Sequence, residues 1–186
     1  MKYISIGAVM TEGTEHNLVV CRGSNKFTLT GDLAAAWLGG RLGFAMVSKP
    51  TEEQAVQQLI RMGLAVISRD YSMAEYRTLT QCTIVPAERK YPYFGVHGLE
   101  RTVLQWLREA GLVLSMAELV YLIDRNVPLE PQYLGSDNTQ ALVEQIYTKD
   151  TIFDNILENQ MERAAMREQT VAAVLSLLRK KRIVLL

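Results

Sequence analysis

The sequence predicts an α+β protein of two modules, and three observations carry that prediction. Short β-branched runs separated by turn residues crowd the first 85 positions. Helical periodicity dominates after residue 95, and a proline-containing, charged stretch at 86–92 lies between the two. The chain has 186 residues, 48% of them apolar, with 20 Lys+Arg against 20 Asp+Glu. That length permits one large domain or two small ones.

Residues 3–10 are apolar and partly β-branched, which predicts a first strand. Segments 17–22 and 26–30 flank Gly23-Ser24-Asn25, residues that tolerate positive φ, so they predict a β-hairpin. A short helix is expected from about Asp32 as its N-cap, weakened at its end by Gly39, Gly40 and Gly43. The FAMVS segment after Gly43 has strand character. Thr51-Glu52-Glu53-Gln54, following Pro50, has the form of a capping box. The helix it opens places Ala55, Val56, Leu59 and Ile60 on one face and stops near Gly63. Two more strands are expected at 64–69 and 76–85. Pro86, Glu88, Arg89, Lys90 and Pro92 then set the boundary between a module at 1–88 and one at 89–186.

In the second module Leu99, Val103, Leu104, Leu107 and Ala110 form one helical stripe ending at Gly111. Ser115-Met116-Ala117-Glu118 is a second capping box, followed by Leu119, Val120 and Ile123 at helical spacing. Pro128 and Pro131 open a loop, and Ser136 or Asp137 starts a helix running to about Tyr147. From Thr151 to Arg182 there is neither Gly nor Pro, which predicts a long helix before a final strand at 183–186. On that helix Ile152, Ile156, Val171, Val174 and Leu178 share a face, with Arg163 and Arg167 in its middle. Buried unpaired arginines are very costly. Three outcomes remain open: a break or kink at 159–169, a middle turn crossing solvent, or a partner's acids facing the arginines.

The halves echo one another. Trp37-Leu38 before Gly43 parallels Trp106-Leu107 before Gly111, and Leu59-Ile60-Arg61 parallels Leu177-Leu178-Arg179, each before a strand. A duplication on this pattern carries a large helical insertion in the second half.

A strand hairpin, then helices, then another hairpin is the order of a winged-helix unit. Residues 15–85 resemble that family, and more narrowly the small winged helices that bind the leader of a precursor peptide. The resemblance rests on the hairpin at 17–30, the helix start DLAAAW, the helix at 51–62 and the LAVI strand after Gly63. One helix of the family, between Gly43 and Pro50, is missing from the pattern. The second half resembles helix-turn-helix modules in having three helices and a final strand.

Chemistry is sparse. His16 and His97 are the only histidines and no CxxC is present, so neither a metal nor another cofactor is expected. Cys21 and Cys82 fall at strand positions, as small hydrophobes in a reducing cytoplasm. Gly39-Gly40-Arg41-Leu42-Gly43 follows a helix and lacks the Lys-Ser/Thr of a phosphate loop. No nucleophile motif occurs, and the expectation is a non-enzyme. No run approaches the roughly 20 apolar residues of a membrane span. The N-terminal MKYISIGAVMTEG is expected to be a strand, not a signal peptide.

Trp37 and Trp106 are expected in the core. Tyr91, Tyr93 and Phe94, flanked by Arg89 and Lys90, suit base stacking or packing of the two halves against each other, with packing the expected role. The basic quartet Arg179-Lys180-Lys181-Arg182 suits phosphate contacts or, equally, the dipole of a helix C-terminus. Against nucleic acid stands the segment 113–150, where six acids meet only Arg125 and Lys149. The leading expectation is a winged-helix regulator of transcription that binds duplex DNA through its C-terminal module. Arg179, Lys180, Lys181, Arg182, Arg163 and Arg167 would make the contacts, and residues 151–178 would form a homodimer. The alternative is an adaptor that binds a protein or peptide along an exposed strand edge or an apolar groove.

Overall fold

Strand β1 (Lys2–Ser5) is the pivot of the fold, because its alternating side chains serve two cores. Tyr3 belongs to one buried cluster, while Ile4 and the following Ile6 belong to the other. The computed structural model describes residues 1–11, 17–69, 73–147 and 154–186, and only the backbone of Thr11, Asp154 and Asn155. His16, Thr151 and Ile152 lie outside the described residues.

After β1 the chain turns at Gly7, with φ +111°, into β2 (Ala8–Thr11). A Cβ at Gly7 would stand 2.6 Å from Val20 Cγ1, so glycine is required there. The single strand expected at 3–10 is therefore two strands in different sheets. β2, β3 (Leu18–Arg22) and β4 (Asn25–Leu29) form an antiparallel sheet, the last two as the expected hairpin. Helix α1 (Gly31–Gly40), strand β5 (Ala45–Met46), helix α2 (Pro50–Arg61) and strand β6 (Ala65–Ser68) complete the first unit. β1 lies between β5 and β6, antiparallel to both.

α1 and α2 close the first core over Tyr3, Leu18, Val20, Trp37, Val56 and Leu59. Two buried polar groups are satisfied there, since Tyr3 OH donates to Ala36 O at 2.7 Å and Trp37 Nε1 donates to Ile6 O at 3.0 Å. α1 takes Thr30 as its N-cap, placing Asp32 in the first turn instead of at the cap. α2 likewise starts earlier than its sequence pattern suggests. Lys49 is the N-cap and Pro50, which has no N–H to satisfy, takes the first turn. The Thr51 box does not form. Glu52 instead accepts from Ser48 N–H at 2.8 Å.

The segment expected as a strand from residue 76 opens with helix α3 (Ala74–Leu79), whose Tyr76 and Leu79 face the second core. Strand β7 is limited to Thr83–Pro86. Then come α4 (Gly98–Arg108), β8 (Leu114–Ser115), α5 (Met116–Asp124), a 3-10 turn (Pro131–Tyr133), α6 (Asn138–Ile146), α7 (Asp154–Met161), α8 (Arg167–Arg179) and β9 (Ile183–Leu185). The Ser115 capping box forms as expected, with Ser115 Oγ accepting from Glu118 N–H and the Glu118 carboxylate accepting from Ser115 N–H. The long helix breaks between Met161 and Arg167, the first of the three outcomes left open.

α3, α4 and α5 pack around α8, burying Val171, Val174, Leu177 and Leu178. The part of the expected homodimer stripe that lies on α8 is thus covered within the chain. The second core also takes Tyr76, Leu79, Cys82 and Ile84 from before residue 88, so the cores divide earlier than the expected boundary. β7 explains this, because it is the central strand between β8 and β9.

The echo between halves extends to register. One constant offset carries Trp37 to Trp106, Ala45 to Leu114 and Met46 to Ser115. Another carries Val56 to Val174, Leu59 to Leu177 and Ala65 to Ile183. In both units a leading strand lies between two later ones, and matching backbone bonds join Ile6 to Leu64 at 3.0 Å and Ala87 to Arg182 at 2.9 Å. Helices α5, α6 and α7, which lie between β8 and α8 where the first unit has only a short link from β5 to α2, are the insertion in the second unit. Among the described residues no helix is long and apolar enough to cross a membrane.

Candidate nucleic-acid interface

The last turn of α8 places the basic quartet. Lys180 N–H donates to Ser176 O, Lys181 N–H to Leu178 O and Arg182 N–H to Leu177 O, each at 2.9 Å. Lys181 takes φ +55°, which reverses the chain into β9. The quartet then divides by role.

Lys180 and Arg182 hold the loop between β7 and α4. Lys180 Nζ donates to Gly95 O at 2.9 Å and to Glu100 Oε2 at 2.6 Å. Arg182 Nη2 donates to Phe94 O at 2.8 Å. From the loop side, Arg89 Nε donates to Lys181 O at 3.1 Å. Burial pushes the Glu100 carboxyl up, but hydrogen bonds from Lys180 and Ser176 outweigh it and hold the group below the usual carboxylate range. Glu100 is therefore charged near neutrality and offsets Lys180. Arg179 and Lys181 remain exposed beside Arg89 and Lys90.

The tethered loop presents two rings to solvent. Phe94 is 79% exposed and Tyr91 66%, so neither packs the halves together as expected. Only Tyr93 does so. It is half-buried against the second core and donates its OH to Glu109 Oε1 at 3.0 Å. Burial, then the bond to Glu109, pushes its hydroxyl up to about 12. Lys90 Nζ lies 5.5 Å from the Tyr91 ring centroid. The result is a surface with exposed cations and two rings able to stack, which is the donor set of single-strand binders.

Arg163 and Arg167 are not part of it. They lie at or before the start of α8 and the quartet at its end, about 20 Å away for a helix of this length. Arg163 is exposed on the turn. Arg167 serves the α7–α8 break: its guanidinium donates to Glu162 O and pairs with Glu168 at 2.5 Å. α8 buries one face against α3, α4 and α5 and leaves Glu168, Gln169, Ala172 and Arg179 exposed on the other.

No metal-binding group of three His, Cys, Asp or Glu occurs among the described residues. His97 is an exposed N-cap residue of α4. Cys82 is buried, and its surroundings push the thiol up to about 12, so it is not a thiolate nucleophile near neutral pH. Sequence reasoning found the rings and the quartet separately. It missed that the loop's own carbonyls join them, for which no local signal exists. In comparisons with known proteins, the chain matches no family, no curated protein and no solved structure.

Proposed function

We propose that this chain is a non-enzymatic, cytoplasmic nucleic-acid-binding regulator that contacts its target through the loop at 89–95 and the end of α8. One observation carries the reading: two exposed rings, Tyr91 and Phe94, stand among Arg89, Lys90, Arg179 and Lys181 on a loop held in place by Lys180 and Arg182. Cations of this kind neutralise phosphates, and exposed rings stack on unpaired bases. Single-stranded or locally open DNA therefore suits the surface better than the duplex major groove. The winged-helix resemblance lends this reading only the hairpin β3–β4 and helices α1 and α2, because β6 and β7 lie in different sheets and form no second hairpin.

The test is fluorescence anisotropy with single-stranded and duplex oligonucleotides across a salt series. Tyr91→Ala and Phe94→Ala are expected to cost about 1–3 kcal/mol per stacked base on single strands. Arg179→Gln and Lys90→Gln are expected to flatten the salt dependence by about 0.7 per contact. Absence of salt-dependent affinity for either form overturns the proposal. One observation favours the second reading, a peptide adaptor: among the described residues β4 pairs only with β3, leaving the other edge of Asn25–Leu29 open.

A further inference from the structure

The hairpin turn fixes which backbone groups β4 leaves free. Arg22 and Asn25 are the last pair before the two-residue turn Gly23-Ser24, where Gly23 takes φ +57°. A turn this tight closes on a hydrogen-bonded pair, so Arg22 and Asn25 exchange their N–H and C=O. Alternation along the ladder then aims the backbone of Asn25, Phe27 and Leu29 at β3, and that of Lys26 and Thr28 outward. Both outward residues are exposed. Among the described residues no bond outside the β3–β4 ladder reaches their N–H or C=O. Four unpaired groups on an extended edge are a template for another strand.

That edge is complementary to itself in one antiparallel register. With a two-fold axis at Phe27, Lys26 lies opposite Thr28 of the second molecule and Thr28 opposite its Lys26. Each pair exchanges N–H and C=O, so all four free groups are satisfied. Phe27, half-buried against the first core, faces its own copy as a close non-hydrogen-bonded pair, a favourable place for two rings. The neighbouring registers fail. An axis at Lys26 sets like charges directly opposite each other. An axis at Thr28 pairs Lys26 with Thr30, the N-cap of α1, whose C=O already accepts the first bond of that helix. The single charge on the edge thus selects the register. A free peptide would have to order its backbone to make the same bonds, whereas β3 already holds both copies of β4 extended.

We propose that β4 pairs with β4 of a second molecule of this chain in the register centred on Phe27, joining two three-stranded sheets into one. The edge is short, so the dimer is weak. It does not rest on the nucleic-acid reading, because none of its residues belongs to the loop at 89–95 or the end of α8.

The experiment is sedimentation equilibrium of the full chain from tens of micromolar into the millimolar range, with amide hydrogen exchange followed over the same series. The average mass is expected to rise from that of one chain toward that of two. The Lys26 and Thr28 amides are expected to gain protection with concentration, while those of Phe27 and Leu29, already bonded to β3, stay constant. Thr28→Pro is expected to abolish association while the monomer keeps its fold, because the N–H removed lies on the open side of an edge strand. Its unfolding midpoint checks that fold. Thr28→Glu and Thr28→Lys test the register without a backbone change. Each puts its charge opposite Lys26 twice per dimer, so Glu is expected to tighten association about 2- to 30-fold and Lys to weaken it by a similar factor. A wild type that stays monomeric throughout, or association undiminished in Thr28→Pro, overturns the proposal. So does weaker association in Thr28→Glu, which an axis at Thr28 would produce. A chain that stays monomeric while an added extended peptide protects Lys26 and Thr28 overturns it in favour of the adaptor. Tyr91→Ala and Phe94→Ala are expected to keep the dimer, so failure of the stacking surface and failure of the edge are distinguishable.

Discussion

The turn after α2 and the turn after α8 make the same hydrogen bonds but use different residues. In the first, Gly63 N–H donates to Ile60 O and Leu64 N–H to Leu59 O, while Arg22 Nη1 covers the turn by donating to Gly63 O at 2.5 Å. In the second, Lys181 and Arg182 make the equivalent bonds to Leu178 and Leu177, and the covering contact comes from Arg89 to Lys181 O. Glycine adopts this conformation without strain; lysine does not. The first unit thus uses the turn as a joint, and the second puts cations on it. A similar contrast holds for the loops. β1 continues almost directly into β2 through Gly7, whereas β7 leads into the loop carrying Tyr91 and Phe94. One scaffold appears twice, and the exposed chemistry gathers on the second copy.

The largest test of this correspondence lies in the two cores. Leu59 and Leu177 occupy matching positions and both are fully buried. Leu59→Ala and Leu177→Ala are each expected to cost about 2–5 kcal/mol, measured by denaturant unfolding. Because β1 contributes Tyr3 to one core and Ile4 to the other, both variants are expected to unfold in a single transition. Two resolved transitions, with each substitution moving only one, would show that the units are independent and that β1 does not couple them.

Part of this was legible in the sequence, for physical reasons that can be named. The Ser115 box and the hairpin around Gly23 depend on residues within a few positions of each other, so their signals are local. The tryptophans were placed in the core because they fall on apolar helix faces, and each is 1% exposed. Segment 76–85 misled because Tyr76, Leu79 and Cys82 satisfy a three-residue apolar period that a mixed run of Thr and Tyr disguises as strand. The position of β7 between β8 and β9 was not readable, since those pairings span long stretches of chain. The same is true of the interface. Arg182 reaches Phe94 across 88 positions, and nothing local to either residue announces that contact.

The helix starts offer a smaller test. α5 is capped by Ser115 and Glu118 reciprocally, whereas α2 begins at Lys49 with no side-chain cap. Ser115→Ala is expected to lower stability by about 1 kcal/mol. Lys49→Ser, at an extended N-cap backbone already suited to it, is expected to raise stability by up to about 1 kcal/mol. Equal and negligible effects from both would mean that packing alone sets these boundaries, and the contrast between the two starts would lose its meaning.

The smallest expected effect separates two surface ion pairs. Arg77 meets Glu162 with two N–H groups, at 2.7 and 3.1 Å, tying α3 to the residue after α7. Lys180 meets Glu100 with one ammonium at 2.6 Å, tying α8 to α4. Both carboxyls titrate below their ordinary value of 4.5, Glu162 chiefly through its bonds from Arg77. A depressed folded pKa means the unfolded chain binds more protons in that window. Stability from each pair is therefore complete above about pH 4.5 and is lost as pH falls through the folded value. The cations are 48% and 39% exposed, so solvent screens both pairs and each is worth no more than about 1 kcal/mol. Glu162→Gln and Glu100→Gln are each expected to shrink the acid-side loss of stability while leaving the shape above pH 5 unchanged. Glu162→Gln is expected to have the larger effect, because a two-point Arg–carboxylate contact fixes geometry that a single ammonium does not. Unfolding midpoints measured from pH 3 to 7 check the ranking, and added salt is expected to compress both differences. A larger effect from Glu100→Gln would mean that the anchoring of the 89–95 loop by Lys180 depends on that carboxylate more than the distances imply.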